Sequence, residues 1–249
     1  MADPIHQFEI HKLFTIGNIG GHEIAFTNSA LYMAIAVTGI AALLVGATSS
    51  RSLVPGRLQS VAELSYEFVA STLRSTAGSE GMKFFPLVFT LFMFILFLNM
   101  IGLIPYTFTV TSHIIITASL ALLVFFTVVT YGFWKNGLRF FKLFAPSGVH
   151  WVVQFFVVPI EILSFLSRPL SHSLRLFANM LAGHITLKVF AGFITMLSAF
   201  GAIGWIGSLV PFALIVAVTA LEMLVAFLQA YVFAILTCIY LNDAIHPGH

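Results

Sequence analysis

Long apolar runs separated by short polar stretches dominate this chain. Three of these runs are close to the ~20 residues that a helix needs to cross a bilayer. They cover residues 27–48, 84–105 and 112–134. Within the charged stretch 51–83, apolar Val61, Leu64 and Phe68 recur at helical spacing. This pattern predicts an amphipathic helix at the membrane surface, with a solvated connecting helix as the alternative.

Two longer helical stretches follow, at residues 150–194 and 207–242, and Gly201 and Gly204 mark the turn between them. A continuous helix over the first stretch would be about 67 Å long, roughly twice the ~30 Å thickness of the hydrocarbon core. Either these helices are steeply inclined or proline residues break them into pieces. The prolines in question are Pro159, Pro169 and Pro211.

The predicted fold is therefore an all-α integral membrane protein. Three upright transmembrane helices and a surface amphipathic helix precede a C-terminal hairpin of two long, strongly inclined membrane helices. We expect one membrane domain over 1–249, divided into an N-terminal segment at 1–26, the first three spans with the amphipathic helix at 27–142, and the hairpin at 143–249.

Composition agrees, since 59% of the residues are hydrophobic and only 8% are charged, against about 25% charged in soluble domains. The net charge of +2 is too small to indicate nucleic-acid binding. Cys238 is the single cysteine, which excludes an intramolecular disulfide and a multi-cysteine metal site. We predict no cofactor and no metal.

Basic residues near the ends of the spans predict the orientation, because Lys and Arg are retained on the cytoplasmic side. They cluster in the polar stretch after the first span and in the segment after the third. The residues are Arg51, Arg57, Arg74 and Lys83, and then Lys135, Arg139 and Lys142. We therefore expect the N-terminus on the outer side and the C-terminus in the cytoplasm.

Arg175 is the most informative residue, because it lies in a long apolar stretch with few other charges. A guanidinium in such surroundings costs from about 3 kcal/mol on insertion scales to about 10 kcal/mol or more in simulations. At 100° per residue it shares a narrow face with polar and small residues. These are Glu161, Ser164, Arg168, Ser171, Asn179, Ala182 and Thr186. Small residues allow a neighbouring helix to approach closely, so this face is predicted to meet a partner.

His184 points to the opposite side of the same helix, so Arg175 and His184 are expected to serve different compartments. The second long helix has its own polar positions, including Glu222 and Gln229. An antiparallel hairpin would bring Glu222 and His184 close to a shared hydrated cleft. An ionisable residue inside an apolar segment is a functional candidate by default.

Structural interpretations stay open for several of these residues. Arg175 could form a buried ion pair with Glu161 or Glu222, and Gln229 could make a packing hydrogen bond. Arg168, next to Pro169, is typical of a helix-end arginine whose charged group reaches lipid headgroups.

The motif at 171–184 resembles subunit a of the F-type ATP synthase, the stationary proton-channel subunit beside the rotating c-ring. The matching residues are Ser171, Leu174, Arg175, Leu176, Phe177, Asn179, Met180, Gly183 and His184, with Glu222, Gln229 and the run Asn99-Met100-Ile101-Gly102-Leu103-Ile104-Pro105. The resemblance extends from about Glu9 to Leu241. In one respect the chain departs from the best-known bacterial pattern: His184 and Glu222 stand exchanged, as in mitochondrial members.

The resemblance implies a proton-translocating stator subunit without catalytic activity of its own, because ATP chemistry occurs on other subunits. Arg175 would be the essential residue, with Asn179 beside it and Gln229 across from it; Glu222, His184 and Glu161 are the further candidates for the proton path. The implied partners are the c-ring, peripheral-stalk b-type subunits and membrane lipid, in a cell inner membrane.

Two other classes of function are less compatible with the residues. An intramembrane hydrolase would use Ser171 or Ser173 with His172 or His184, but neither a G-x-S-x-G elbow nor an H-E-x-x-H motif is present. A secondary membrane transporter is the alternative of another class, although the internal repeat that commonly marks such folds is missing.

Overall fold

The computed structural model describes residues 8–19, 22–49, 54–104, 107–144 and 151–246, and most of these residues are helical. The α-helices are α1 Asn28–Ser49, α2 Arg57–Gly81, α3 Phe85–Gly102, α4 Ile114–Asn136, α5 Trp151–Ser198, α6 Gly201–Gly207 and α7 Leu209–Ile245. Short 3-10 helices occur at Met82–Phe84, Val110–Ser112 and Gly137–Leu143. Arg51, Pro105 and residue 150, which the sequence analysis uses, lie outside the described ranges.

Five helical stretches of the described residues are long and apolar enough to cross a membrane, which confirms the predicted class. The helices α1, α3 and α4 correspond to the three predicted spans and differ from them by a few residues at each end. A bilayer core offers no hydrogen-bond partners, so the backbone N–H and C=O groups of a spanning segment have to bond to each other, as they do in a helix. The protein is therefore a multi-pass membrane protein.

The helix predicted within the charged stretch 51–83 is confirmed by α2. Val61 and Leu64 on its predicted apolar side are 50% and 66% exposed, whereas Val69 and Leu73 are buried. Gly78 interrupts the helical path with φ 66°, a left-handed conformation that glycine adopts without a steric cost. That α2 lies at the membrane surface stays a prediction.

The two long helices run through their prolines. Pro159 and Pro169 lie inside α5, which is 48 residues long, and Pro211 lies inside the 37-residue α7. The alternative in which Pro159 and Pro169 break α5 is therefore wrong, because a helix can continue past a proline when its freed carbonyl finds another partner. Pro211 lies in the first turn of α7, where a proline is tolerated. At 1.5 Å per residue, α5 is about 72 Å long, so inclination remains the predicted way to fit it into a bilayer.

The N-terminal segment contains a β-hairpin that the sequence analysis did not predict. Strand β1 Lys12–Ile19 pairs antiparallel with β2 His22–Thr27. The Phe14 and Phe26 rings stack at 5.0 Å between centroids. Lys12 Nζ donates to Glu23 Oε2 at 2.7 Å, and this hydrogen bond and the Lys12 charge lower the pKa of Glu23.

Asn28, the first residue of α1, fastens the hairpin to the helix. Its side-chain Oδ1 accepts a hydrogen bond from the His11 amide at 3.3 Å. Its Nδ2 donates to the Glu9 carbonyl at 3.0 Å. No linker separates β2 from α1, so the hairpin and the first membrane helix are directly connected.

The chain forms two compact units, each assembled from three separate stretches. The first unit takes the described residues within Met1–Ile40, Phe94–His113 and Leu176–Gln229. The second takes those within Ala41–Met93, Ile114–Arg175 and Ala230–His249.

Inside the first unit, Asn99 is fully buried and its Nδ2 donates to the Ala226 carbonyl at 3.3 Å, which ties α3 to α7. Inside the second unit, Phe68 of α2 packs between Phe92 of α3 and Tyr231 of α7, at 5.7 and 5.2 Å between ring centroids. Each unit is thus held by contacts among helices that are distant in sequence.

Candidate functional site

The middle of α5 has one buried face and one exposed face. His172, Leu176 and Met180 are buried, at 4%, 0% and 4% exposure. Arg175 and Asn179 are exposed on the other side. Within each set the residues are four positions apart, which is the spacing that a single helix imposes when only one side packs against its own chain. The face that carries Arg175 is therefore open to a lipid or a protein neighbour.

Arg175 makes no ion pair and no hydrogen bond through its side chain to any residue in the described ranges. The described residues therefore do not form the structural alternative, a buried ion pair of Arg175 with Glu161 or Glu222. Leu174 beside it is also exposed, at 40%. A permanent cation on an outward-facing surface of a membrane helix has to be compensated by a group that the described residues do not supply.

Asn179 and Gln229 are joined by a hydrogen bond. Asn179 Nδ2 donates to Gln229 Oε1 at 3.1 Å, between α5 and α7. Gln229 is 5% exposed, so its position is fixed by packing. The pairing agrees with the helical phase predicted for both residues, and it gives Gln229 the packing hydrogen bond that the sequence left open.

His184 lies in a buried polar contact that the sequence analysis missed. Its Nε2 shares a hydrogen bond of 3.1 Å with Thr109 Oγ1. The Phe8 ring stands edge-on to the imidazole at 6.4 Å between centroids. Lys188 Nζ lies over the Phe8 ring, 5.8 Å from its centroid. Neither Thr109 nor Phe8 carries a local sequence signal for such a role, because each is at least 75 positions from His184.

Glu222 occupies the space beside a glycine of the facing helix. An added side-chain carbon at Gly183 would collide with the Glu222 carboxylate. Both carboxylate oxygens are buried and have no hydrogen-bond partner among the described residues. His184 and Glu222 therefore do not hydrogen-bond to each other, although Gly183 and His184 are adjacent. That the two residues share one hydrated cleft stays a prediction.

Glu161 takes part in none of these contacts. It lies on α5, more than three turns before Arg175, and is partly exposed. It forms neither an ion pair nor a side-chain hydrogen bond within the part of the chain that the structure describes. The first compact unit thus brings Asn179 to Gln229 and Glu222 to the helix turn of His184, whereas Glu161 belongs to the second unit.

A second polar cluster occurs in the other compact unit. Arg168 Nη1 donates to Asp243 Oδ2 at 2.7 Å. The guanidinium carbon lies 4.9 Å from the centre of the Tyr240 ring and 5.2 Å from that of Phe165. The interpretation of Arg168 as a helix-end arginine that reaches headgroups is therefore replaced by an ion pair between α5 and α7. The partner is 75 residues away, which sequence periodicity does not reveal.

Among the described residues, no group of three or more His, Cys, Asp or Glu side chains could hold a metal ion. The chemistry that these clusters offer is instead that of carboxylate, imidazole and guanidinium groups in an apolar surrounding. Such groups can take up, release and repel protons.

Comparison with known proteins gives one consistent result. The profile of the family described as ATP synthase A chain matches residues 30–242. The chain is 68% identical over 249 residues to ATP synthase subunit a of Nitrobacter winogradskyi, with 100% of both chains covered. It is 70% identical over 248 residues to ATP synthase subunit a of Bradyrhizobium diazoefficiens, with 99% of each chain covered. It is 66% identical over 249 residues to ATP synthase subunit a of Rhodopseudomonas palustris strain BisB18, again with 100% of both chains covered.

Proposed function

Because the chain belongs to the ATP synthase A chain family, we propose that it is the stationary proton-translocating subunit of an F-type ATP synthase. The observation that carries this proposal is Arg175, a cation on the exposed face of a membrane helix with no partner among the described residues. A carboxylate presented by a neighbouring ring of c-subunits would compensate that charge. Lipid alone would leave a cost of about 3 kcal/mol or more.

In this proposal, two aqueous half-channels meet the ring at different positions. Protons enter from the outer side past Glu222 and His184 and neutralise a ring carboxylate. The neutral site then rotates through lipid, where an ionised carboxylate would be expensive. After nearly a full turn the site reaches the second half-channel, which leads to the cytoplasm.

Arg175 acts at the end of that turn. Its positive charge attracts the ionised carboxylate and so favours release of the proton. The same charge repels protons and stops them from passing directly between the two half-channels. Asn179 lies one turn further along α5. With its partner Gln229 it would hold the helix surface next to Arg175 in place. Glu161 is proposed for the proton path without a contact that fixes its role.

The energy that each proton supplies determines how many protons have to be coupled to the synthesis of one ATP. One proton moving through 100 mV supplies about 2.3 kcal/mol, so several protons have to be combined by rotation for each ATP. The subunit itself would perform no ATP chemistry, which we assign to other subunits. Peripheral-stalk b-type subunits would keep it stationary, in a cell inner membrane with the N-terminus outside and the C-terminus in the cytoplasm.

Disulfide cross-linking tests whether the Arg175 face meets the ring. Cys238, which is buried, is first replaced by serine. Single cysteines are then introduced at Ala178 or Ala182, which lie on the exposed face, and paired with a cysteine next to the ring carboxylate. Leu170 is 60% exposed and lies on the opposite side of α5, so it is the matched control.

We expect rapid cross-linking from Ala178 and Ala182 and none from Leu170. Cross-linking from Leu170 alone, in complexes that assemble normally, would show that a different face of α5 meets the ring and would overturn the proposal.

A further inference from the structure

The imidazole of His172 is buried without a polar partner. The residue is 4% exposed, and neither ring nitrogen has a hydrogen-bond partner among the described residues. The Phe233 ring packs against it edge-on at 3.8 Å between centroids, but that contact is apolar. A buried polar group left unsatisfied costs about 1–3 kcal/mol, so His172 requires a partner that the described residues do not supply.

A small cavity lies beside this imidazole. His172, Arg168 and Tyr240 are its polar lining residues, and the rest of its wall is apolar, from α4 and α5. The centre of a water-sized sphere can move within a volume of about 10 Å³. That is about the smallest space that holds one water molecule, which also needs two to four polar partners. The site therefore has room for one water and offers three polar residues to bind it.

The polar lining is held in place by its own contacts. Arg168 is fixed by the ion pair with Asp243 and by the Tyr240 ring beneath its guanidinium. The Tyr240 ring is 6.0 Å from the His172 ring between centroids. Arg168 and Tyr240 therefore line the cavity beside His172 with groups that form hydrogen bonds, although neither reaches the His172 nitrogens directly.

We propose that this cavity binds one water molecule and that His172, with this water, is a proton-exchange site on the cytoplasmic side of Arg175. The inference rests on the proposed function, in which protons leave towards the cytoplasm after passing Arg175. His172 precedes Arg175 by one helical turn in α5, in the direction of the predicted cytoplasmic end.

The exchange conserves protons and charge. The cavity water brings an excess proton as hydronium and gives it to the ring nitrogen without a hydrogen, which leaves a neutral water. The imidazolium then returns a proton to this water. One proton arrives and one leaves, so the imidazole is neutral before and after the step. The ring nitrogen that faces the water has to be free of protein partners, and both nitrogens of His172 fulfil that condition within the described residues.

ATP-driven proton pumping by the complete complex in inverted membrane vesicles tests the inference. His172→Phe keeps an aromatic ring against Phe233 but removes both nitrogens. Ala121→Val leaves His172 intact and fills the cavity, whose wall includes Ala121. Ala36→Val introduces the same methyl groups at a fully buried alanine of α1 and is the matched packing control.

We expect at least a roughly tenfold loss of pumping in His172→Phe and in Ala121→Val, because positioned proton donors and acceptors typically contribute 10²–10⁴-fold. Ala36→Val should pump like the parent. Assembly is checked by recovering the c-ring with each variant, and if His172→Phe fails to assemble, Ala121→Val decides. A smaller loss in the assembled variants would overturn the inference.

Two further results separate this inference from the function on which it rests. A high-resolution cryo-EM map of the parent complex should show a water peak within hydrogen-bond distance of a His172 nitrogen. An empty cavity in a map that resolves other buried waters would overturn the inference. If Arg175→Ala stops pumping while His172→Phe pumps normally, only the His172 site fails. If Arg175→Ala pumps normally, the proposed function fails.

Discussion

The carboxylate of Glu222 packs directly against Gly183, where only the absence of a side chain leaves room for it. This contact pairs an ionisable group of α7 with the helix turn of α5 that carries His184. The backbone at Gly183 is helical, a conformation that any residue can adopt. The glycine is therefore needed because a β-carbon would collide with Glu222. The contact can therefore be tested with a single methyl group.

We predict that Gly183→Ala lowers ATP-driven proton pumping about tenfold while the complex still assembles. Overpacking of this kind costs about 1–3 kcal/mol, and here the atoms that have to move belong to Glu222. Gly192→Ala is the control, because a side-chain carbon at Gly192 in the same helix would meet nothing within 4 Å. Equal pumping by both variants would show that the position of Glu222 is not critical.

Thr109→Val should also impair pumping, because it removes the hydroxyl that bonds to His184 Nε2. A buried nitrogen that loses its partner costs about 1–3 kcal/mol, so we expect a loss of roughly fivefold to a hundredfold. Thr109→Ser keeps the hydroxyl and should pump nearly like the parent.

Thr127→Val is the control for this exchange of side chains, since among the described residues the Thr127 hydroxyl bonds only to the Leu123 carbonyl of its own helix. If Thr109→Ser were as impaired as Thr109→Val, the methyl packing of Thr109 would matter and its hydrogen bond to His184 would not.

The pair His184 and Glu222 allows a double-mutant test of the shared cleft. Replacing either residue by an apolar one should slow passive proton flux through the membrane sector after the catalytic head is removed. The double exchange His184→Glu with Glu222→His should restore part of the flux, because the cleft again contains one carboxylate and one imidazole. Strictly additive losses without rescue would mean that the two residues act separately.

Hydropathy and helical phase predicted those parts of the structure that depend on local sequence. The three spans and the two long helices follow from apolar runs, and the shared orientation of Asn179 with Arg175 follows from a helical period. The hairpin at 12–27 also has a local signal in the sequence. Two runs rich in aromatic and β-branched residues flank Gly20-Gly21 in the sequence, which is typical of paired strands.

Contacts between distant residues were not predictable in the same way. Thr109 meets His184 and Asp243 meets Arg168 across 75 positions in each case. A single sequence has no periodicity that links such pairs, so their identity depends on how the helices pack. The predicted contact of Arg168 with headgroups was based on a local feature, the neighbouring proline. The Asp243 carboxylate that binds Arg168 is 75 positions away, so the local sequence does not reveal it.

ATP-driven proton pumping by Arg175→Ala tests the central claim most directly. The complex is purified with its c-ring to confirm assembly, and Arg139→Ala, at an exposed arginine in the 3-10 helix after α4, is the charge-matched control. We predict that Arg175→Ala abolishes pumping and ATP synthesis. Arg175→Lys should fail as well, because an ammonium group lacks the rigid planar geometry of the guanidinium and can lose its proton. Arg139→Ala should behave like the parent. Normal pumping by assembled Arg175→Ala and Arg175→Lys complexes would contradict the account.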